Sequence, residues 1–335
     1  MRPILNLLFH LHHETEAERP TRQAYEEVLS LIRQADTLPI GCAWLAEHHL
    51  LDTRGRLPAP LLMAVAGARE TRRLQLGPCV LLMPLHSPLD LAEQIATADL
   101  LTRGRLLVGL GSGGNPEEFA AFGVSLDERA GRFAEGVEVL SRALTGKPFS
   151  FSGTYYQVPE VTLMPRPLQP PAHMLWVATG SVASARLAGQ SGAHLLLARG
   201  MSLARLREQI AAYEEARAAQ GLQRTGARVQ VTRGLYVAPT DAQAWEEAAY
   251  GVVEYLRRSG RSVETGSVRE LAQQGDFIIG SPETCAAAIS ELAAAVPITD
   301  LACDIALVGM PHTLRARCLD LLGNAVAPLL AHGQP

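Results

Sequence analysis

No segment of the chain supplies the roughly 18 uninterrupted apolar residues of a membrane-spanning helix, so nothing in it is expected to cross a bilayer. Lysine and arginine are scattered and the net charge is -4, which leaves no basic stripe for nucleic acid. The five cysteines, Cys42, Cys79, Cys285, Cys303 and Cys318, are odd in number, far apart and without a C-x-x-C pair. That pattern argues for buried thiols and against a disulfide or zinc framework, and no metal is expected. GLGSGGNPEEF, residues 109–119, carries Gly109, Gly111 and Gly114 after the fourth strand but resembles a nucleotide loop only loosely, so a Rossmann reading is poor and reducing equivalents are expected from elsewhere. The opening MRPILNLLFHLHHETE is apolar for only a few residues and has no small-residue cleavage site. It reads as a first strand, not a signal peptide, and a cytoplasmic protein is expected.

What is present is a hydrophobic alternation long enough for a large core. The 335 residues, 47% hydrophobic and 19% charged, fit one α/β barrel with insertions. Eight rounds of strand and helix are predicted, the signature of a parallel sheet covered by helices. The strands are Ile4 to His10, Ala43 to Ala46, Leu74 to Met83, Arg105 to Leu110, Leu175 to Ala178, His194 to Ala198, Arg228 to Val237 and Leu301 to Ala306. Between them helical spacing recurs over 22–37, 60–70, 89–101, 127–144, 182–190, 202–220, 241–258, 285–294 and 314–330. FSFSGTYYQV, residues 149–158, predicts an appended hairpin, and 259–276 a mobile loop over the seventh and eighth strands. The fold class expected is a single (β/α)8 TIM-barrel domain.

Chemistry is usually built at the C-terminal edge of such a sheet. There the second strand runs into WLAEHHL, residues 44–50. Glu47, His48 and His49 offer a base, a proton store and hydrogen-bond partners that titrate near neutrality. Adjacent strand residues point to opposite faces, so one histidine of the pair is expected to face the pocket. The same edge carries His10, with His12 and His13, after the first strand, His86 after the third and His312 after the eighth, all candidates for the substrate pocket. Thr179-Gly180-Ser181 leads directly from the fifth strand into a helix, whose free N–H groups and dipole suit a phosphate; an ordinary serine N-cap explains the same residues. GSPET, residues 280–284, reads as a structural cap, and Trp176 as barrel core.

These stretches together resemble the bacterial luciferase-like flavin monooxygenases over essentially the whole chain. The similarity is carried by WLAEHHL, by LGPCVLLMPLHSPLDLAEQIATADLLTRGRLLVGLGSG (76–113), by EEFAAFGVSLDERAGRFAEGVEVL (117–140), by FSGTYY (151–156), by WVATGSVASARLAGQSG (176–192) and by GSPET. The resemblance implies a flavin at the C-terminal mouth of the barrel. It places the catalytic histidine at His48, and flavin-phosphate contacts at Arg129, Gly180, Ser181 and Ser184. It also implies a non-proline cis peptide between Cys79 and Val80, beneath the flavin ring. Two departures stand out. Many relatives have an arginine where this chain has Ser112, which shifts phosphate binding toward the N–H groups of Gly113 and Gly114, and luciferase has a reactive cysteine where this chain has Gly111.

The activity implied is monooxygenation of a small organic substrate with molecular oxygen. Reduced FMN would be supplied by a separate flavin reductase. Relatives pair through the helices after strands two and three, so a homodimer through 60–70 and 89–101 is implied as well. Two alternatives stay open: hydride transfer with a deazaflavin cofactor, and a non-catalytic flavin-binding protein.

Overall fold

The computed structural model describes residues 2–11, 17–50, 56–223, 226–258, 269, 272 and 277–332. Its main sheet has ten strands, eight of which run in parallel around a barrel. In chain order these are β1 (Ile4–Phe9), β2 (Cys42–Leu45), then β5 (Gln75–Pro78), which follows a two-stranded ribbon formed by β3 (His48–His49) and β4 (Arg56–Leu57). They continue with β7 (Val108–Gly111), after the short β6 (Leu81–Leu82), and with β10 (Leu175–Thr179), β11 (His194–Leu197), β12 (Val229–Val237) and β14 (Asp300–Asp304). The barrel closes where Leu76 bridges Leu106, with the Leu107 N–H donating to the Leu76 carbonyl at 2.9 Å. Gly77 makes this seam possible, because a Cβ there would lie 1.6 Å from the Leu107 carbonyl oxygen.

Strands buried on both faces read as continuous apolar runs. β2, β7, β11, β12 and β14 are buried at every position. Inside the barrel Leu8, Cys42, Trp44, Leu107, Trp176, Leu196 and Ala302 pack together, the two indoles meeting edge-on at 5.7 Å. Trp176 is barrel core, as expected. At the N-terminal end a polar layer is cross-linked internally, with Asn6 Oδ1 and Gln230 Nε2 left without a partner among the described residues. Asn6 donates to Gln230 and Asp300 at 2.8 and 2.9 Å, Trp44 Nε1 donates to Gln230 at 2.8 Å, and Arg228 holds Asp300 with both Nε and Nη2.

All eight expected strands are present, with some differences of extent. The third is split into β5 and β6 about the Cys79–Val80 peptide, which is cis, so that β5 pairs with β2 and β6 with β7. An additional strand, β13 (Phe277–Gly280), pairs with the outer half of β12, which at nine residues extends beyond the barrel seam. The hairpin is β8 (Phe149–Ser152) against β9 (Gln157–Val161), and Glu135 holds its turn by accepting the N–H groups of Thr154, Tyr155 and Tyr156. The closing helix begins at His312 and widens into a π turn at Leu322–Val326, where Gly323 brings the backbone against Leu38. GSPET is a cap as predicted, with Ser281 accepting the Thr284 N–H. Asp241 reaches across to the same cap, accepting from the Ser281 N–H and the Thr284 hydroxyl. His12, His13 and the loop expected over 259–276, apart from 269 and 272, lie outside the described residues. Among the described residues no helix is long and apolar enough to cross a membrane.

Candidate active site

At the C-terminal mouth, β2 delivers Glu47 into the interior, where it is 2% exposed. Its Oε1 accepts from Nε2 of His49 at 3.0 Å and from Nε2 of His86 at 2.8 Å, and its Oε2 accepts the Leu82 N–H. Burial pushes the Glu47 carboxyl up, but these hydrogen bonds from His49, His86 and Leu82 outweigh it and leave the group below its ordinary value. Glu47 is thus an ionised anchor that ties the end of β2 to β6 and to the segment before helix 88–101. The antiparallel ribbon β3–β4 then sends the two histidines to opposite sides. His49 turns inward toward Glu47 and stacks edge-on to Phe122 at 4.7 Å, whereas the His48 side chain stays 34% exposed at the mouth. The two side chains thus point to opposite sides, as the alternation predicts.

A second buried carboxylate fixes the pair from the opposite side. Glu118, on the short helix after β7, accepts the His49 N–H at 2.9 Å, and its Oε1 lies 3.6 Å from Nδ1 of His48. Against the upward push of burial, His48 and the His49 N–H hold the Glu118 carboxyl below its usual value. His10, at the end of β1, places its ring 6.3 Å from that of His48. Burial, with His48 and Arg199 nearby, lowers His10 to about 3, so it is neutral at physiological pH. Past β11, Arg199 donates from Nη1 to Asp304 at 2.9 Å and lies over the rings of Tyr255 and Phe277. Burial raises the Asp304 carboxyl despite the neighbouring guanidinium.

The residues expected to hold a cofactor lie on the adjacent strands. The Cys79–Val80 peptide packs against β7 so tightly that a Cβ on Gly111 would sit 2.3 Å from Val80 Cγ2. Burial pushes the Cys79 thiol up to about 12, so it is a packing group. Ser112 and Gly113 follow, and Nη1 of Arg129 reaches the Gly113 carbonyl at 3.4 Å. β10 lies beside β7 and ends at Thr179. Gly180 is open, with nothing within 4 Å of a Cβ placed there. Ser181 and Ser184 form a reciprocal capping box, so the local geometry is that of an N-cap. The box uses the Ser181 and Ser184 N–H groups, and those of Val182 and Ala183 have no acceptor among the described residues. Two unengaged N–H groups therefore coexist with the cap.

Of the predicted site residues, the structure brings Glu47, His49 and His86 into one cluster with His48 beside it. His312 opens helix 312–321, and among the described residues no hydrogen bond or ion pair joins it to this cluster. Glu47, His49 and His86 also place one ligand atom each within 4.8 Å of one another, a donor set that suits a divalent ion, although hydrogen bonds already engage all three atoms. Sequence reading missed Glu118, Arg199 and Asp304 as site residues. Glu118 sits two residues after Pro116 in what reads as an ordinary acidic first turn, and only the tertiary approach to His48 and His49 distinguishes it from Glu117.

A family model described as luciferase-like monooxygenase matches residues 1–299. The chain is 28% identical over 268 residues to 4-hydroxyprotoasukamycin monooxygenase of Streptomyces nodosus subsp. asukaensis, covering 74% of this chain and 71% of the relative. It is 29% identical over 188 residues to the oxygenase component of a flavin-dependent trigonelline monooxygenase of Acinetobacter baylyi, covering 55% and 52%. An F420-dependent glucose-6-phosphate dehydrogenase of Amycolatopsis mediterranei matches at 28% over 176 residues, covering 51% and 52%. Two further curated relatives at 37% identity are spanned over 56% and 44% of their length. Among solved structures, monooxygenase RslO1 from Streptomyces bottropensis superposes with a TM-score of 0.89 at 27% identity, covering 97% of this chain and 99% of that one.

Proposed function

The chain belongs to the luciferase-like monooxygenase family, and we propose that it is the FMN-dependent oxygenase of a two-component system that oxidises a small organic substrate with molecular oxygen. The observation that carries this reading is the imidazole of His48, exposed at the barrel mouth and flanked by two buried carboxylate systems that fix its backbone and ring. Arg129, Gly180, Ser181, Ser184 and the free N–H groups of Val182 and Ala183 suit an FMN phosphate in kind: a cation beside the segment after β7, and an open glycine and a helix N-terminus after the neighbouring β10. Ser112 and the Gly113–Gly114 backbone take the place of an additional guanidinium. The Cys79–Val80 segment, packed on Gly111, forms an apolar floor suited to a flat ring.

When bound, reduced FMN supplies the electrons for activating oxygen. His48 is the proton-handling group, and Glu118 orients it. Glu47, His86 and His49 position the strand end from below, while neutral His10 lines the substrate side without adding charge. The reduced flavin comes from a partner reductase, in keeping with the relative named as an oxygenase component. A homodimer through helices 60–70 and 88–101 is supported by the exposed Leu62, Leu100 and Leu101 beside a cleft of about 460 Å³ between these helices.

The relative named F420-dependent favours a second reading, hydride transfer with a deazaflavin. Supplying reduced FMN from a flavin reductase under ¹⁸O₂ separates the two. Label in the oxidised organic product supports the monooxygenase. Turnover that needs reduced deazaflavin and leaves the product unlabelled supports hydride transfer, and binding without turnover of either kind supports a non-catalytic flavin carrier.

A further inference from the structure

The guanidinium of Arg199 has one edge in use and one without a partner. Nη1 is committed to Asp304, and the faces lie against Tyr255 and Phe277, with Cζ 4.0 and 4.2 Å from the ring centroids. Nε and Nη2 are buried and find no acceptor among the described residues. A buried N–H on a charged group costs heavily when left unmade, so two on one side chain call for a reason. Nε and Nη2 form the side-on fork of arginine, whose parallel N–H groups match the two oxygens of a carboxylate.

The molecule contains the filled version of that fork. Arg228 donates from Nε to Oδ2 of Asp300 at 3.0 Å and from Nη2 to Oδ1 of the same carboxylate. In Arg199 the corresponding edge lies at the catalytic end of the barrel, where its charge acts on His10, whose ring neighbours that of His48. Gly234 makes room for the guanidinium itself, because a Cβ there would come within 2.2 Å of Arg199 Nη2 and 2.4 Å of Phe277. A methyl group at position 234 would displace the arginine.

We propose that the unpartnered edge of Arg199 receives a carboxylate of the substrate, so that the enzyme acts on small organic acids whose apolar or aromatic body lies along Phe277 and Tyr255. The two nitrogens are closed to water in the present arrangement, so entry of the carboxylate requires the side chains around that edge to shift. This inference rests on the barrel mouth being the site of oxidation.

The test is calorimetric titration of the full-length protein with benzoate and with benzyl alcohol, its neutral counterpart, alongside a separate titration with FMN. Wild type should bind benzoate at least tenfold more tightly than benzyl alcohol. Arg199→Gln and Arg199→Lys should each lose at least tenfold of that affinity with FMN affinity unchanged, each variant being titrated below its own melting temperature because loss of the Asp304 partner destabilises the glutamine variant. Lysine keeps a charge for Asp304 but lacks the fork, so a loss in both variants reports the fork itself. Equal binding of the two probes by wild type, or benzoate binding retained in both variants, would overturn the proposal. It would also be overturned by a parallel loss of FMN affinity, which would assign the edge to the flavin. If FMN fails to bind wild type while benzoate binding stays dependent on Arg199, the monooxygenase reading fails and this one stands.

Discussion

Glu118 accepts the backbone N–H of His49 at 2.9 Å, and the same oxygen stands 3.6 Å from Nδ1 of His48. One side chain from the helix after β7 thus sets both the path of the β2 edge and the orientation of its exposed imidazole. Glu118→Gln keeps the shape and an acceptor oxygen but removes the charge. It is expected to slow substrate oxidation by about 10- to 100-fold with little change in FMN affinity, and His48→Ala by at least about 100-fold. Steady-state oxidation at saturating reduced FMN, paired with flavin titration, checks both. A Glu118→Gln variant as active as wild type would remove the carboxylate from the account.

Glu47 makes a different prediction because it acts through structure. Its carboxylate is enclosed and accepts from two imidazoles and a peptide N–H. Glu47→Gln replaces an ionised acceptor with a neutral amide that also presents donors to those same groups. A loss of about 2–4 kcal/mol of stability is expected, read as a lower midpoint in urea or guanidinium unfolding. An unchanged midpoint would mean that His49 and His86 do not depend on this anchor.

Acid should weaken the fold before any carboxylate titrates. Burial lowers both His10 and His194 to about 3 from 6.5, and Nδ1 of His194 accepts the Arg228 N–H, which requires it unprotonated. As pH falls below 6.5 the unfolded chain takes up these protons first, so stability is complete above 6.5 and is lost progressively down to about 3. The slope is roughly 1.4 kcal/mol per pH unit for each residue. Urea unfolding between pH 7 and 4 should show this decline, and His194→Gln should flatten it by about half. A pH-independent midpoint down to 5 would contradict the buried neutral state.

Two glycines separate folding from function. Gly77→Ala forces a Cβ into the Leu107 carbonyl at the seam that closes the barrel, so the variant should fail to give folded protein. Gly180→Ala meets nothing within 4 Å and should melt like wild type. Thermal unfolding of the two variants provides the comparison.

Much of this architecture is legible in the sequence, because a strand buried on both faces is a plain apolar run and the turns between runs carry proline, glycine or capping residues. The edge positions follow from strand ends, which is how Glu47, His48, His49 and His86 could be named together. β13 was not legible: Phe277–Gly280 is four residues long, and nothing in FIIG distinguishes an extra strand from the approach to the following cap. Glu118, Arg199 and Asp304 were hidden for a different reason. Their significance lies in partners 69, 70 and 105 residues away, a relation that no local periodicity encodes.

The central claim, reduced FMN held at the barrel mouth for use with oxygen, is tested most directly by anaerobic titration of the purified protein with reduced FMN and with reduced deazaflavin cofactor, in wild type and in Arg129→Ala. The account predicts a preference of at least about tenfold for reduced FMN, largely lost when the Arg129 cation is removed. Tighter binding of the reduced deazaflavin, unaffected by Arg129→Ala, would contradict it and assign the site to hydride transfer.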